Sequence, residues 1–177
     1  MNTDRIASLS WKLHWVTAAT LFILPVALFC QLMLIGLDKE LIASDFGDVV
    51  IADNVSDLSG WSSVALERLI VVAVIYTLEQ MRRLFAQFAK RQIFDITTSD
   101  LILRVGAGLL AIVVIAIIIH PLQAIILTSG NPVGQRAISV EIDDSDIGFL
   151  LSSGLLMVIG WAMRDAVALA DENREFI

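Results

Sequence analysis

The chain has 177 residues, 57% of them hydrophobic and 18% charged, with a formal net charge of −7. An ordinary soluble domain is about 45–50% apolar and about 25% charged, so this balance, with a mean hydropathy of +0.79, argues for a membrane protein. The pI of 4.6 argues against nucleic acid as a partner, because phosphate backbones call for a basic face.

After a short lead over residues 1–12, the first apolar block covers residues 16–37, which is 22 residues without a charge. A bilayer core of about 30 Å takes about 20 helical residues, so span one is expected over about residues 13–37. Pro25 lies inside it, and membrane helices tolerate such a kink. The block is too long for the apolar core of a cleaved signal and no small-residue cleavage site follows. Cys30, the single cysteine, makes no internal disulfide and reads as a small apolar residue. Residues 38–60 then carry Asp38, Glu40, Asp45, Asp48, Asp53 and Asp57 against Lys39, which predicts a solvated loop.

Span two is expected over about 61–80, entered at Trp61 as an interfacial anchor. The charge-free run Leu69-Ile-Val-Val-Ala-Val-Ile-Tyr-Thr-Leu78 is short, so a spanning helix must take in Glu67 and Arg68. Span two continues into an amphipathic segment, 81–94, where Met81, Leu84, Phe85 and Phe88 recur at i, i+3, i+4 and i+7. Arg82, Arg83, Lys90 and Arg91 occupy other faces. Two arrangements fit this stripe. It lies along the headgroups with aromatics inserted and cations near anionic lipid, or it packs on the ends of spans three and four.

Thr97 and Asp100 have capping-box spacing and predict that span three starts at Leu101 and runs to about 128. Residues 105–119 carry no polar side chain. The turn-like Ser-Gly-Asn-Pro-Val-Gly of 129–134 opens a second loop, 129–146, with Glu141, Asp143, Asp144 and Asp146. That acidic run lacks calcium-loop spacing and reads as a solvated face. Span four is expected over about 147–168, before the tail Ala-Asp-Glu-Asn-Arg-Glu-Phe-Ile. With four spans, nine of the 12 Lys and Arg residues fall on one side, which by the positive-inside rule is cytoplasmic. The expected fold is therefore all-α: one integral membrane domain, a four-helix bundle with both termini in the cytoplasm.

The stretch 84–110, with its basic turn Lys90-Arg91-Gln92-Ile93-Phe94 and the span opening Leu103-Arg104-Val105-Gly106, resembles the bacterial four-span membrane family designated domain-of-unknown-function family 2975. The tail 160–177, with Ala168-Leu169-Ala170-Asp171-Glu172-Asn173 before Phe176, resembles that family's end. Where the family's turn has glycine, this chain has Arg91. The resemblance implies an inner-membrane protein of no established activity, with a small helix-turn-helix regulator as a partner. It carries over no catalytic, cofactor-binding or metal-binding residue.

Counting depth from the outer ends of the spans places Gln31 and Glu67 about 9 Å, and His120 about 12 Å, below the outer boundary. Ser153 lies six residues into span four. Gln31, Glu67, Arg68, His120 and Ser153 thus form a candidate polar layer. A lone ionised side chain in hydrocarbon costs at least about 2.5–3.5 kcal/mol, so these groups should find partners. The layer serves either as polar glue fixing helix register or as a site for an ion, proton or small polar ligand. A haem held by His14 and His120 is disfavoured, since helix rise sets them too far apart to share one iron. Gly148/Ser152 and Ala107/Ala111 are small-xxx-small pairs suited to close helix contact in the bundle or in a homo-oligomer. With no phosphate loop, nucleophile elbow, H-E-x-x-H or C-x-x-C, the expectation is a non-enzymatic regulatory, sensory or assembly component embedded in lipid and needing no cofactor. The alternative is a small oligomeric transporter or channel that uses the layer around Glu67 and Arg68.

Overall fold

The structure, a computed structural model, describes residues 2–35, 57–132, 138 and 143–175. Four helices account for nearly all of them: α1 (Asn2–Ile35), α2 (Asp57–Ala89), α3 (Ile96–Thr128) and α4 (Asp144–Glu175). No strand occurs among the described residues. Each helix contains a segment long and apolar enough to cross a membrane: Asp4–Met33, Asp57–Ala89, Ile96–Thr128 and Asp144–Glu172. The acids Asp38, Glu40, Asp45, Asp48, Asp53 and Glu141, and Phe176 of the tail, lie outside the described residues.

The helices run beyond the apolar blocks because hydrogen bonding, rather than hydropathy, sets their ends. The cap of α3 is a correction to the expected capping box. Asp95, not Thr97, is the N-cap, with an extended backbone and a carboxylate that accepts from the Thr97 N–H at 3.3 Å. The helix therefore opens at Ile96, five residues before Leu101. Helix α2 continues unbroken from Asp57 to Ala89 and ends in a left-handed turn. Gln92 N–H donates to the Gln87 carbonyl at 3.1 Å and Arg91 N–H to that of Phe88 at 3.0 Å, the bond pair of a Schellman motif. Arg91 sits at φ 63°, where an L side chain costs about 1–2 kcal/mol relative to glycine. The buried Thr98 hydroxyl donates to the Gln92 carbonyl at 2.7 Å and ties the turn to α3. The Arg91 guanidinium forms an ion pair with Asp4 of α1.

Among the described residues the extensive contacts are sequential: α1 on α2, α2 on α3, α3 on α4. All three pairs are antiparallel. His14 and Asp4 face Arg82 and Arg91; Thr77 and Ser63 face Gly108 and Gln123; Gly106 and Leu103 face Met157 and Gly160. Helix α1 docks through Ser10, His14, Thr17, Leu21, Leu24 and Leu28, all at least half-buried, an alternating four-three spacing of the kind that keeps one seam on a partner. Helix α3 has α2 on one side and α4 on the other, which explains how it can be apolar all round. Without a hydrophobic drive between helices in lipid, contact rests on close packing. Glycines on opposite faces of α3 supply it: a methyl group at Gly108 would lie 2.4 Å from Thr77 Oγ1, and one at Gly106 2.9 Å from Met157 Cγ. The small-xxx-small pairs singled out in the sequence lie elsewhere. Gly148 has open space around it, and Ser152 and Ala107 are exposed.

Candidate functional site

Tryptophans give the helices a depth scale. Trp11, Trp15, Trp61 and Trp161 are all exposed, as expected of side chains that favour the membrane–water interface. The His14–Arg82 and Asp4–Arg91 contacts set Trp11 and Trp15 opposite about residues 81–85 of α2. The Gly160–Leu103 and Thr77–Gly108 contacts set Trp161 at much the same level. From Trp61 to residue 81 is 20 residues, a rise of about 30 Å, which is the thickness of a hydrocarbon core. The four tryptophans thus fall in two belts one bilayer core apart.

On this scale Glu67 and Arg68 sit about 9–10 Å inside the Trp61 belt. Gln31 and His120 come to the same level, opposite about residues 65 and 66 of α2. Ser153 does not. Helix α4 pairs with α3 in a register that sets Gly160 against Leu103 and Met157 against Gly106, which levels Ser153 with about residue 110 of α3, roughly 15 Å towards the other belt from His120. Gln31 and Glu67 are exposed, while Arg68 and His120 are half-buried. Arg68 Nη1 is enclosed and has no hydrogen-bond partner among the described residues. Ser153, 1% exposed, donates to its own helix at the Leu150 carbonyl, 2.7 Å away. No hydrogen bond or ion pair among the described residues joins the five.

A different amide bridges the helices in this half. Gln123, 5% exposed, donates through Nε2 to the Ser63 carbonyl at 3.0 Å and to Ser63 Oγ at 3.2 Å. An amide buried in an apolar environment is costly unless bonded, and here the donor side is satisfied twice across α2 and α3. Gln123 stands three residues after His120 in an otherwise apolar run. That isolation, a lone amide in an apolar run, is the signal the sequence carries for it.

The opposite end of the row is basic and tied by charge. Glu79 accepts from Arg82 Nε at 2.7 Å and Nη2 at 2.8 Å, and from Arg83 Nε at 2.7 Å. His14 Nδ1 donates to the Arg82 carbonyl at 3.0 Å, and Arg164 of α4 stands 3.8 Å from Asp100 of α3. Three of the four apolar stripe residues, Met81, Leu84 and Phe88, pack with Leu101, Ile102 and Val105 of α3 and Leu156 and Met163 of α4. This contact matches the second of the two arrangements the stripe allows. Phe85 is half-buried, and Lys90 and Arg91 are exposed. At the other end, Asp143 N–H donates to Asp146 Oδ2 at 3.1 Å, a local turn that opens α4. No trio of His, Cys, Asp or Glu converges among the described residues. No protein-family model, curated protein or solved structure matches the chain.

Proposed function

We propose that the chain is a four-span protein of the bacterial cytoplasmic membrane with both termini inside, and that it acts without catalysis as a regulatory, sensory or assembly component. One observation carries this reading: the polar contacts that cross between helices bind each helix to the next. His14 to Arg82, Arg91 to Asp4, Gln123 to Ser63 and Arg164 to Asp100 all do so. Meanwhile α1 and α4 present large apolar side chains outward, among them Phe22, Phe29, Leu151 and Leu155, as lipid-facing or partner-facing helices would. Orientation is supported by the cations Arg82, Arg83, Lys90 and Arg104 gathered at the end that also holds the N-terminus of α1. The left-handed Arg91, at the position where family 2975 has glycine, is in keeping with that resemblance. The resemblance in turn points to a small helix-turn-helix regulator as the partner. Native mass spectrometry of the gently extracted protein tests the reading. A monomer, or a complex with a second protein, supports it; a defined homo-oligomer retaining an ion or small polar solute overturns it. Orientation is read separately, by labelling Asp144→Cys, which must react only from outside.

The second reading, a small oligomeric channel or transporter, is favoured by the enclosed and unpartnered Arg68 Nη1 at the level of Glu67 and His120. It requires Glu67→Gln to alter ion flux in proteoliposomes without loss of the fold.

A further inference from the structure

Between the end of α2 and the start of α3 lies a cavity of about 460 Å³, walled by Arg82, Arg83, Gln87 and Lys90 from α2 and by Asp100 and Arg104 from α3. Four cations face one acid across it. With the ion-pair partners Glu79 and Arg164 included, five cations stand against two acids. Among the described residues that surplus is not neutralised. Arg82 and Arg83 are held by Glu79 through Arg82 Nε and Nη2 and Arg83 Nε, which fixes both side chains and leaves Arg82 Nη1 and both terminal nitrogens of Arg83 without a carboxylate partner among the described residues. Lys90 and Arg104 pair with no carboxylate among the described residues. Like charges converging on one cavity repel each other, and an anion with several acceptor oxygens relieves that repulsion while accepting charge-assisted hydrogen bonds.

Depth narrows the chemistry. Trp11, Trp15 and Trp161 are exposed at the level of residues 81–85 of α2, so the cavity lies at the headgroup layer, where lipid phosphates sit. Its wall also includes the apolar Ile96 and Leu101. We propose that this cavity is a binding site for one phosphate group, with Arg83, Lys90 and Arg104 as its principal donors. The phosphate belongs either to an anionic glycerophospholipid headgroup or to a soluble phosphate. The site deepens the proposed function, since occupancy would bind the α2–α3 turn to the lipid composition or phosphate supply around it, and it rests on the membrane reading.

The test uses the full chain in zwitterionic phosphatidylcholine nanodiscs, into which dioleoylphosphatidylglycerol is titrated, with the bound lipid counted by native mass spectrometry. Incorporation into the phosphatidylcholine discs is scored first, and failure there overturns the membrane reading itself. Lys90→Gln/Arg104→Gln removes two exposed cations that hold no described ion pair, so helix content and thermal stability should be unchanged. The expected result is a loss of about a hundredfold in apparent phosphatidylglycerol affinity, beyond the roughly thirtyfold that general surface attraction to two cations would give. Lys12→Gln, an exposed cation on α1 outside the cavity wall, should lose no more than about fivefold, the general share of one cation. A loss of about thirtyfold or less in the double variant, or an equal loss per cation in Lys12→Gln, overturns the proposal, because either result describes general attraction to an anionic surface. Inorganic phosphate added as competitor assigns the source. Displacement of the lipid by phosphate at millimolar concentration supports the site with a soluble ligand, and retention of the lipid supports it with a headgroup ligand.

Discussion

Placing alanine at Gly108 should separate α2 from α3, and the structure allows the cost to be isolated. The new methyl group would lie 2.4 Å from Thr77 Oγ1, 3.1 Å from Thr77 Cβ and 3.2 Å from Thr77 Cγ2. Thr77 is 3% exposed and its hydroxyl donates to the Ala73 carbonyl at 2.8 Å. A χ1 turn brings the other γ atom towards the same place, so the side chain has no free direction in which to yield. The helices must part by the better part of an ångström over this contact, and overpacking of this kind costs about 1–3 kcal/mol. Against that stands the helix-propensity gain of alanine over glycine, about 1 kcal/mol. The gain cancels in a comparison with Gly154→Ala on α4, where a methyl group meets nothing within 4 Å. The difference in unfolding free energy between the two variants should therefore be about 1–3 kcal/mol, with Gly108→Ala the less stable. Adding Thr77→Ala should recover most of the deficit of Gly108→Ala, as expected of residues in direct contact. Reversible unfolding in bicelles by added dodecyl sulfate, followed by far-ultraviolet circular dichroism, reads all three variants. Equal stability of Gly108→Ala and Gly154→Ala would refute the close α2–α3 approach.

Three further outcomes are expected. Gln123→Leu keeps the bulk but removes both bonds to Ser63, and should cost about 0.5–2 kcal/mol in the same assay, whereas Ser63→Ala, which spares the carbonyl acceptor, should cost less than half as much; the reverse order would place the energy on the hydroxyl. Arg91→Gly removes a left-handed side chain at φ 63° and an ion pair whose members are 62% and 66% exposed. Since relief of strain is worth about 1–2 kcal/mol and an exposed pair about 0–1 kcal/mol, the variant should be as stable as the parent or up to roughly 2 kcal/mol more stable; a clear loss in Arg91→Gly not matched by Asp4→Asn would show the turn to be held by something else. Quenching of tryptophan fluorescence by brominated lipids should be strongest with bromine near the headgroup, because Trp11, Trp15, Trp61 and Trp161 are all exposed in the two belts; maximal quenching from the chain ends would disprove the depth scale.

The four membrane-length helices were legible because each apolar block is long and the charges between them are clustered. The limits of the helices were not. Asn2, Asp57 and Glu175 lie well outside the apolar blocks, and hydropathy is silent about where backbone hydrogen bonding stops. At the start of α3 the cap is Asp95 rather than Thr97, because the Asp95 carboxylate reaches the Thr97 N–H, a contact that residue spacing alone does not reveal. A shared level was legible for Gln31, Glu67, Arg68 and His120, whose helices are joined in near-level register. It was not for Ser153, because the length of a connection does not say how far the next helix is shifted, and α4 slides along α3 until Gly106 and Gly160 can be filled by Met157 and Leu103. The sequence offered small-residue pairs for close contact but no means of choosing which faced inward.

Serial packing also bears on whether the Glu67–Arg68 level can conduct. A pore through one chain needs walls on all sides, and among the described residues α1 and α4, the two ends of the row, share no extensive contact. Glu67 is exposed at this level, about 9 Å inside the Trp61 belt, while the neighbouring Arg68 points about 100° around the helix from it. Their mutual attraction therefore cannot satisfy both, and an ionised Glu67 facing hydrocarbon would cost at least about 2.5–3.5 kcal/mol. A conducting path would have to be closed by a second copy bringing polar groups to the exposed carboxylate, so the channel reading and a monomeric membrane state exclude each other. Single-molecule photobleaching of the labelled chain in dilute liposomes counts the copies, and flux through the same liposomes follows conduction. Flux that is carried by monomers and lost in Glu67→Gln would break this reasoning. Flux confined to oligomers would establish a path between chains, and oligomers without flux would leave Glu67 and Arg68 as contacts that hold copies together.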